Sequence, residues 1–393
     1  MNIIALTIFI LSLTLIVYTY VGYAVALCFL SHWLGKPVRA AEITPKLSLI
    51  IAAYNEEKDI ARKLTETLAL DYPKDKLEII VASDCSSDRT DDIVREFASY
   101  GVILHRRPHR RGKTSAQNHA VGVSTGEILV FSDATTYYEK TALKKIVRSF
   151  ADPQVGAATG NVIYVDRSPS DVGLGARSYW GYEFFLKQCE SHLGSLLGVC
   201  GCLYAVRRSA YAQLDEDMSS DFVIASEIYL QGLRVIYDPE AISSEDTNKR
   251  GHQEFRMRTR IIEQTMSALW RYRQILNPFR HGMYAFQMIS HKALRYVVPF
   301  LLIALFDANA YLASANEFFN ALFIVQILFY GLAFVGWAAE LLGIRLGQLA
   351  IPYYFVLANT ASLFAFMKFI GGKSHVTWEP LRDVTSQTEQ SKS

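Results

Sequence analysis

Little in this chain supports a disulfide-stabilised fold or a polyanion-binding protein. The 393 residues include five cysteines, an odd number without regular spacing: Cys28, Cys85, Cys189, Cys200 and Cys202. This pattern disfavours a disulfide framework and indicates reduced thiols in a domain that faces the cytoplasm. Cys200 and Cys202 have no further Cys or His at ligand spacing, which argues against a zinc site. The formal net charge of +2 argues against a nucleic-acid partner.

The chain also lacks the features of a secreted or repetitive protein. Its amino terminus has neither a basic segment nor a small-residue cleavage site, so residues 3–30 do not fit a cleaved signal peptide. They are apolar, nearly uncharged and longer than the roughly 20 residues that a helix needs to cross a bilayer. No internal repeat is present. We therefore predict a transmembrane anchor over residues 1–34.

Hydrophobic sequence, in contrast, is abundant. Hydrophobic residues make up 51% of the chain and charged residues 20%, and the mean hydropathy is +0.13. Such a composition predicts a mixed soluble and membrane architecture. Apolar stretches at about 294–314, 317–341 and 348–371 predict transmembrane helices within residues 293–372, followed by a polar tail, 373–393. Buried helices of a soluble core are the alternative interpretation of these stretches.

Between the anchor and these spans, residues 45–250 alternate short β-branched runs with polar, helix-compatible segments. The strand-like runs are Leu47–Ala53, Leu77–Ala82, Val102–Leu104 and Ile128–Phe131. Alternation of this kind predicts an α/β domain with a mostly parallel sheet.

Residues 251–292 mix arginines with aromatic and aliphatic residues, a pattern typical of amphipathic helices at a membrane surface. The distribution of Lys and Arg predicts a multi-pass protein of the cell membrane whose α/β domain is cytoplasmic. Four full spans would leave both termini outside. Lys373 and Arg382 oppose this placement of the tail, so a re-entrant or interfacial segment is an alternative. Nothing in the residue pattern indicates an oligomeric state.

Polar residues follow each predicted strand, where α/β proteins bind their ligands. Tyr54-Asn55-Glu56-Glu57 follows the first strand, and the stretch from Ser83 to Thr90 follows the second. Within that stretch Asp84 is a candidate ligand for a base or a ribose. Asp88 and Thr90 suit local turn formation and helix capping equally well.

The segment His105–Lys113 carries five cationic side chains and a glycine, which suits a diphosphate. A solvated basic surface is the alternative, and the full phosphate-loop pattern is absent. The strand Ile128–Phe131 then leads to Asp133, a carboxylate suited to hold Mg²⁺ or Mn²⁺ against a diphosphate. A turn-capping aspartate is the alternative reading of Asp133.

Taken in order, these motifs resemble the inverting glycosyltransferases of family 2, in the membrane-embedded branch related to hyaluronan, chitin and cellulose synthases. The resemblance covers roughly residues 45–300. It rests on these segments: Ala53-Tyr-Asn-Glu-Glu57, Asp84-Cys-Ser-Ser-Asp88, Arg111-Gly-Lys113 with Ala116 and Asn118, Gly126 to Asp133, Gly198 to Arg208, and Asp221. It implies a GT-A fold, which is a Rossmann-like α/β domain, here with transmembrane helices on both sides.

The resemblance also implies roles for individual residues. Asp221 would be the catalytic base that takes a proton from an acceptor hydroxyl, with inversion at the anomeric carbon. Asp133 would bind the donor and its Mg²⁺ or Mn²⁺. The remaining donor-side residues would be Ala53, Glu56, Asp84 and Lys113, and the acceptor-side residues would be Gly201, Arg207 and Arg208.

Three positions depart from the family pattern. Thr135 stands where a second aspartate is expected after Asp133, so metal ligation is weakened or moved to another group. Ser220 precedes Asp221 where an acidic residue is common. The Gln-x-x-Arg-Trp motif of processive synthases is missing, although Arg258 and Arg260 lie in that region, where they suit either a diphosphate or lipid headgroups.

We therefore expect a membrane-bound glycosyltransferase that moves one sugar from a nucleotide-sugar, a UDP-sugar by resemblance, to a lipid-linked or glycan acceptor. Membrane lipids would be its other partners. A processive polysaccharide synthase with export is one alternative. A non-catalytic scaffold that binds sugar nucleotides within a glycan-assembly complex is another, suggested only by Thr135 and Ser220.

Overall fold

The computed structural model describes residues 2–165, 170–216, 218, 220–246 and 250–372; the predicted polar tail lies outside this part of the chain. Within it, one sheet has eight strands in the order β3-β2-β1-β4-β7-β6-β8-β5. The strands are β1 Leu47–Ala53, β2 Leu77–Ser83, β3 Val102–Arg106, β4 Ile128–Asp133, β5 Tyr137–Tyr138, β6 Val155–Val165, β7 Leu203–Arg207 and β8 Arg234–Asp246.

Helices cover both faces of the sheet and form the flanking membrane segments. In the α/β domain they are α3 Ile60–Leu68, α4 Thr90–Glu96, α5 Lys113–Val123, α6 Ala142–Arg148, α7 Asp171–Leu193 and α8 Ser220–Leu230. The others are α1 Ile3–Val17, α2 Tyr23–Leu34, α9 Gly251–Arg271, α10 Pro278–Gln287, α11 Leu294–Ala313, α12 Glu317–Leu341 and α13 Ile351–Ile370. Two π-helical segments, Tyr18–Gly22 and Met288–Ala293, join α1 to α2 and α10 to α11.

The first strands form where the sequence predicts them because their β-branched runs are covered on both faces. All seven residues of β1 are buried, as expected for a central strand between helical layers. Each of the four predicted strands begins at the predicted residue, and β2, β3 and β4 extend one or two residues further. The α/β class is confirmed, although the sheet is mixed: four of its seven strand pairings are parallel.

The parallel strands bring the polar loops to one edge of the sheet. Ala53 at the end of β1 pairs with Ser83 at the end of β2, and Ala52 pairs with Asp133 at the end of β4. The antiparallel strand β7 begins at this same edge, since its Leu203 pairs with Ser132. The carboxyl ends of three strands and the start of a fourth therefore surround one site.

Four helical stretches in the described chain are long and apolar enough to cross a membrane: Ile3–Leu34, Pro278–Ala313, Glu317–Leu341 and Gly347–Ile370. The second begins earlier than the predicted span near residue 294. It takes in part of the segment that the sequence assigned to the membrane surface, with a kink at Gly282, whose φ is 47°. By their length and composition these helices are candidate membrane spans.

Specific hydrogen bonds join the α/β domain to the membrane helices. Asp171, at the start of α7, accepts from the backbone N–H groups of Leu346 and Gly347, between α12 and α13. Glu340, near the end of α12, accepts from the N–H of Gly251, where α9 begins. Helix α7 thus lies against the membrane bundle, a position that the sequence did not reveal.

Candidate active site

A cavity of about 1120 Å³ opens at the carboxyl-end edge of the sheet. Its walls include Asn55 and Glu56 after β1, Asp133 after β4 and Asp221 on α8. Helices α7, α9, α11 and α13 close the opposite side. The cavity therefore extends from the sheet to the membrane helices.

Lys113 and Asp133 form an ion pair in this cavity. Lys113 is the first residue of α5, and its Nζ lies 2.5 Å from Oδ1 of Asp133. The two side chains are 16% and 17% exposed, so the pair is shielded but open to the cavity. Although burial opposes its charge, Asp133 and Asp221 raise the pKa of Lys113, which stays a cation. A fixed positive charge beside a carboxylate suits a ligand that brings both phosphate and metal.

Asp133 also belongs to a group of possible metal ligands with Cys202 and Glu245, whose ligand atoms all lie within 4.8 Å of one another. Burial and the neighbouring Asp133 raise the pKa of Glu245 to about 7. A hydrogen bond with Cys200 and burial raise the pKa of Cys202 well above its ordinary value. The protonated Cys202 thiol donates to Glu245 Oε2 at 2.7 Å. Two converging carboxylates fit Mg²⁺ or Mn²⁺, and a neutral thiol beside them does not favour a softer metal.

Sequence reasoning missed Glu245 and the position of Cys202. Glu245 lies near the end of β8 and reaches the site because β8 pairs in parallel with the long strand β6, where Tyr164 faces Glu245. The only signal in the sequence was Thr135, which leaves one carboxylate short of the family motif and so indicates a donor from elsewhere.

A buried lysine supports the loop that carries Asp133. Lys63, on α3, donates to Ser132 Oγ at 2.9 Å and to the carbonyl of Thr136, and it lies 3.8 Å from the ring centre of Tyr138. Burial lowers the pKa of Lys63 to about 7. Since Lys63 binds residues on both sides of Asp133, it fixes the backbone from which that carboxylate projects.

Asp221 lies at the amino-terminal end of α8 and lines the same cavity as the Lys113–Asp133 pair. Its carbonyl accepts from the N–H of Val199 at 2.9 Å, and Ser220 Oγ donates to its Oδ1 at 3.3 Å. Burial raises the pKa of the Asp221 carboxyl, while Lys113 opposes the rise and Asp133 adds to it. A half-buried carboxylate with one weak hydrogen bond and a free face toward the cavity is suited to accept a proton.

Gly201 determines where the Asp221 carboxylate lies. A Cβ at position 201 would lie 2.7 Å from Oδ2 and 2.9 Å from Oδ1 of Asp221. Real Cβ atoms essentially never approach so closely, so any side chain there moves the carboxylate. Gly201 therefore contributes to the site through its missing side chain.

We predict that Gly201→Ala lowers kcat about 10- to 100-fold with little change in the melting temperature. Displacing a catalytic group by about 1 Å costs on the order of 10² in rate. Steady-state kinetics and a thermal melt of the purified variant test this. The matched control is Gly122→Ala on α5, where an added Cβ meets nothing within 4 Å; unchanged kcat in Gly201→Ala would contradict the assignment.

The loops after β1 and β2 interlock beside the ion pair. The N–H of Glu56 donates to Thr90 Oγ1 at 2.6 Å, and the N–H of Asn55 donates to Ser86 Oγ at 3.1 Å. Asn55 and Cys85 have φ values of 54° and 62°, in the left-handed region that asparagine tolerates and cysteine seldom adopts. Strained backbone of this kind concentrates at ligand sites. Of the five predicted donor residues, Glu56, Lys113 and Asp133 line the cavity.

Asp84 and Ala53 both accept hydrogen bonds from backbone N–H groups in this structure. The carboxylate of Asp84 accepts from the N–H groups of Arg111 and Gly112, at 2.9 and 2.7 Å. The carbonyl of Ala53 accepts from the N–H of Asp84 at 3.0 Å. Asp84 thereby holds the start of the loop that presents Lys113, which is a contact different from the nucleoside contact that the resemblance implies.

The basic segment divides into structural and site-facing cations. Arg106 pairs with Asp91 at 2.5 Å, and Arg107 binds Ser115 and lies 3.8 Å from Glu216. These pairs anchor the loop to the domain. Lys113 is the cation of this segment that lies in the cavity.

Arg207 and Arg208 lie away from the cavity, which corrects their predicted acceptor-side role. β7 runs antiparallel to β4, so Arg207 pairs with Ile128 at the opposite end of β4 from Asp133. Arg207 donates to the carbonyls of Phe150 and Val155, and Arg208 donates to the carbonyl of Gly126. Both guanidinium groups satisfy backbone carbonyls and stabilise loops. Gly201, at the start of the same segment, lines the cavity beside Asp221.

Arg258 and Arg260 on α9 have different surroundings. Arg258 is buried, pairs with Glu254 at 2.7 Å and binds the hydroxyl of Tyr354 on α13, so it fastens α9 to a membrane helix. Both arginines line the cavity. Burial lowers the pKa of Arg260, and Asp133 and Asp221 oppose this, which indicates that both carboxylates act on it. Arg260 is the arginine of the two that faces the reactive end.

The chain is similar to several known glycosyltransferases. Residues 48–215 match the model of the family described as glycosyl transferase family 2. Over 231 residues the chain is 30% identical to the "Probable glycosyltransferase YdaM" of Bacillus subtilis, covering 55% of this chain and 54% of the relative. It is 25% identical over 233 residues to the poly-β-1,6-N-acetyl-D-glucosamine synthase of Staphylococcus aureus, covering 58% and 52%. The chain thus spans about half the length of these relatives.

Among solved structures, the mannosyltransferase PcManGT of Pyrobaculum calidifontis, in complex with GDP-mannose and Mn²⁺, superimposes with a TM-score of 0.72. The superposition covers 93% of this chain and 100% of that chain, at 23% sequence identity. At this identity the likeness shows a common fold.

Proposed function

We propose that the chain is a membrane-bound inverting glycosyltransferase, because residues 48–215 match the model of glycosyl transferase family 2. It transfers a sugar from a nucleotide-sugar donor to an acceptor at the cytoplasmic face of the membrane. The observation that carries the proposal is the juxtaposition of the Lys113–Asp133 pair and the Asp221 carboxylate in one cavity.

The proposed reaction forms one bond and breaks one. An acceptor hydroxyl attacks the anomeric carbon of the donor, the bond from that carbon to the diphosphate breaks, and Asp221 takes the hydroxyl proton. Asp221 lines the same cavity as Lys113 and Asp133, so one bound donor and acceptor can contact all three. Lys113 and Arg260 stabilise the negative charge that develops on the departing nucleoside diphosphate.

Asp133 and Glu245 are the residues that would hold a divalent cation. When bound, Mg²⁺ or Mn²⁺ neutralises charge on the diphosphate. Glu245 takes the place of the carboxylate that Thr135 lacks. The neighbour solved with Mn²⁺ supports a metal of this class.

We predict that Glu245→Gln weakens Mn²⁺ binding, measured in the presence of nucleoside diphosphate, by at least about 10-fold. Loss of even an outer-shell partner of a metal typically costs 10- to 100-fold in affinity. Titration followed by the electron paramagnetic resonance of free Mn²⁺ measures this without turnover. Glu96→Gln, an exposed site on α4, is the matched control. Equal Mn²⁺ affinity in Glu245→Gln and the parent protein would remove Glu245 from the metal site.

For the donor we propose a UDP-sugar. The neighbour that was solved with GDP-mannose favours a GDP-sugar as the second candidate. The test is nucleotide release from a panel of UDP-, GDP- and dTDP-sugars by the full chain in nanodiscs with Mn²⁺ or Mg²⁺. Release selective for one donor, raised by membrane lipid extract, is the expected result. Absence of release with every donor would contradict the proposed activity and favour a non-catalytic scaffold.

We propose transfer of a single sugar. In the region where processive synthases carry Gln-x-x-Arg-Trp, this chain has Met257-Arg258-Thr259-Arg260-Ile261, in which Arg260 fits the Arg but the Gln and the Trp are missing. A processive synthase is the alternative, favoured by the name of the staphylococcal relative. Product length separates the two.

We propose that the α/β domain is cytoplasmic and that all four apolar stretches span the membrane. The turn between α12 and α13 touches the start of α7, so the end of α12 lies on the same side as the domain. The turn between α11 and α12 then lies on the other side, and its residues 314–316 carry no Lys or Arg. This arrangement supports full spans in place of a re-entrant segment.

A further inference from the structure

The cavity continues past Asp221 to a wall built from membrane helices. Three cations line this wall, which we call the membrane end of the cavity: Lys187 on α7, Lys292 in the π-helical segment before α11, and Arg295 in the first turn of α11. Lys187 is close enough to Asp221 to oppose the rise in the pKa of that carboxyl. Three cations thus extend from the reactive carboxylate toward the bilayer.

The acidic groups near these cations already have partners. Glu183 accepts from Arg295 Nη1 and lies 3.2 Å from His291 Nε2. Glu190 accepts from the hydroxyl of Tyr23 at 2.8 Å and lies 2.6 Å from His291 Nδ1. Both carboxylates are therefore satisfied by side chains other than Lys187 and Lys292.

The cations in turn have unused binding capacity. In the part of the chain that the structure describes, no carboxylate pairs with Lys187 or Lys292. The Nε and Nη2 atoms of Arg295 are buried without a hydrogen-bond partner. Cationic N–H groups that are buried without a partner are costly, and cations within membrane helices mark ligand sites. The membrane end of the cavity is therefore built for an anion.

Irregular helix geometry marks the same place. The π-helical segments Tyr18–Gly22 and Met288–Ala293 meet through a 2.9 Å hydrogen bond between Tyr18 and Ser290. Each segment sends one residue to the cavity wall, Tyr20 and Lys292. π-helical turns are rare and frequently occur at functional sites.

The chemistry at the Asp221 end and at the membrane end of the cavity indicates which part of the acceptor carries the anion. A general base such as Asp221 is needed for a hydroxyl nucleophile, whereas a phosphate is already ionised near neutral pH and needs none. The anion is therefore a separate part of the acceptor, bound away from the reacting oxygen. Lys and Arg N–H groups are the usual ligands of phosphate, and the membrane helices around them admit an alkyl chain.

We propose that the membrane end of the cavity binds the phosphate or diphosphate of a lipid-linked acceptor. Lys187, Lys292 and Arg295 are its ligands, and the acceptor's sugar hydroxyl lies at Asp221. The inference rests on the proposed function and specifies its acceptor. It excludes a neutral glycolipid and a free glycan as the preferred acceptor.

The test is binding of dodecyl phosphate, dodecanol and inorganic phosphate to the full chain in dodecyl maltoside, by calorimetry. We expect dodecyl phosphate to bind at least about 10-fold more tightly than dodecanol, and Lys292→Met to reduce this preference about 10- to 100-fold, as for one charge-assisted hydrogen bond. Lys187→Met is the second variant. Lys368→Met, exposed on α13 and outside the cavity wall, is the matched control and keeps the preference.

Equal affinity for dodecyl phosphate and dodecanol would overturn the proposal, as would unchanged preference in both folded variants. Inorganic phosphate binding as tightly as dodecyl phosphate would overturn its lipid component. Binding of UDP and GDP with Mn²⁺ is measured on the same samples. Loss of lipid-phosphate binding in Lys292→Met with intact nucleotide binding supports the site, whereas a parent protein that binds dodecyl phosphate but no nucleotide contradicts only the proposed transferase activity.

Discussion

Asp221→Asn is expected to lower kcat for sugar transfer about 10²- to 10⁴-fold, the usual contribution of a positioned general base. Asparagine keeps the size of the side chain and its contact with Gly201, but it cannot take the acceptor proton. Donor binding should change little, because the cations that hold the diphosphate are Lys113 and Arg260. Pre-steady-state transfer and nucleotide binding, measured on the same sample, separate these two effects.

Asp92→Asn is the matched control for this experiment. Asp92 lies on α4 in an exposed pair with Arg95, with side chains 69% and 57% exposed, and pairs of this kind contribute about 0–1 kcal/mol to stability. Near-normal transfer by folded Asp221→Asn would show that another group accepts the proton. A parallel loss of nucleotide binding would instead assign Asp221 to the donor side.

The second large effect is expected for Asp133→Asn. This change removes a metal ligand and leaves Lys113 without the partner that lies 2.5 Å from its Nζ. Binding of nucleoside diphosphate in the presence of Mn²⁺ should weaken about 10- to 100-fold, since charged contacts contribute about 1.5–3 kcal/mol, and transfer should fall further. Calorimetric titration of UDP and GDP, with and without Mn²⁺, measures the change.

The Mn²⁺ dependence distinguishes the two explanations of such a loss. If Asp133 acts through a metal, Asp133→Asn abolishes the difference between titrations with and without Mn²⁺. A loss of equal size in both titrations would mean that Asp133 only orients Lys113. Asp71→Asn, which breaks an exposed pair with Lys144 on the domain surface, should leave both titrations unchanged.

The sequence predicts those parts of the fold that depend on local patterns. The buried runs of β1 to β4 begin at the predicted residues because apolar β-branched stretches between polar segments have few other stable arrangements. The loops that follow them meet because parallel strands end at one edge of a sheet. Asp133 and Lys113 are brought together in this way.

Other parts of the site depend on long-range pairing that no local pattern specifies. Glu245 reaches Asp133 through the parallel pairing of β8 with β6, which is interrupted by a register shift between Gly160 and Asn161. Arg207 leaves the site because β7 runs antiparallel to β4. The direction and register of a strand decide which residues share an edge, and the sequence of the strand alone does not state them.

The position of α7 has a similar explanation. Its sequence mixes charged and aromatic residues, and the sequence pattern places it within the α/β domain of residues 45–250. In the structure its acidic residues Glu183 and Glu190 meet His291 and Arg295 of a membrane helix. Those pairs become visible only when two segments about one hundred residues apart are placed side by side.

The most direct test of the account is the anomeric configuration of the product. Full-length protein in nanodiscs is given a nucleotide-sugar with ¹³C at the anomeric carbon together with membrane lipid extract, and the lipid fraction is examined by NMR. The account predicts that the label enters a phosphate-bearing lipid with its anomeric configuration inverted. Label transferred with retained configuration would contradict direct attack assisted by Asp221.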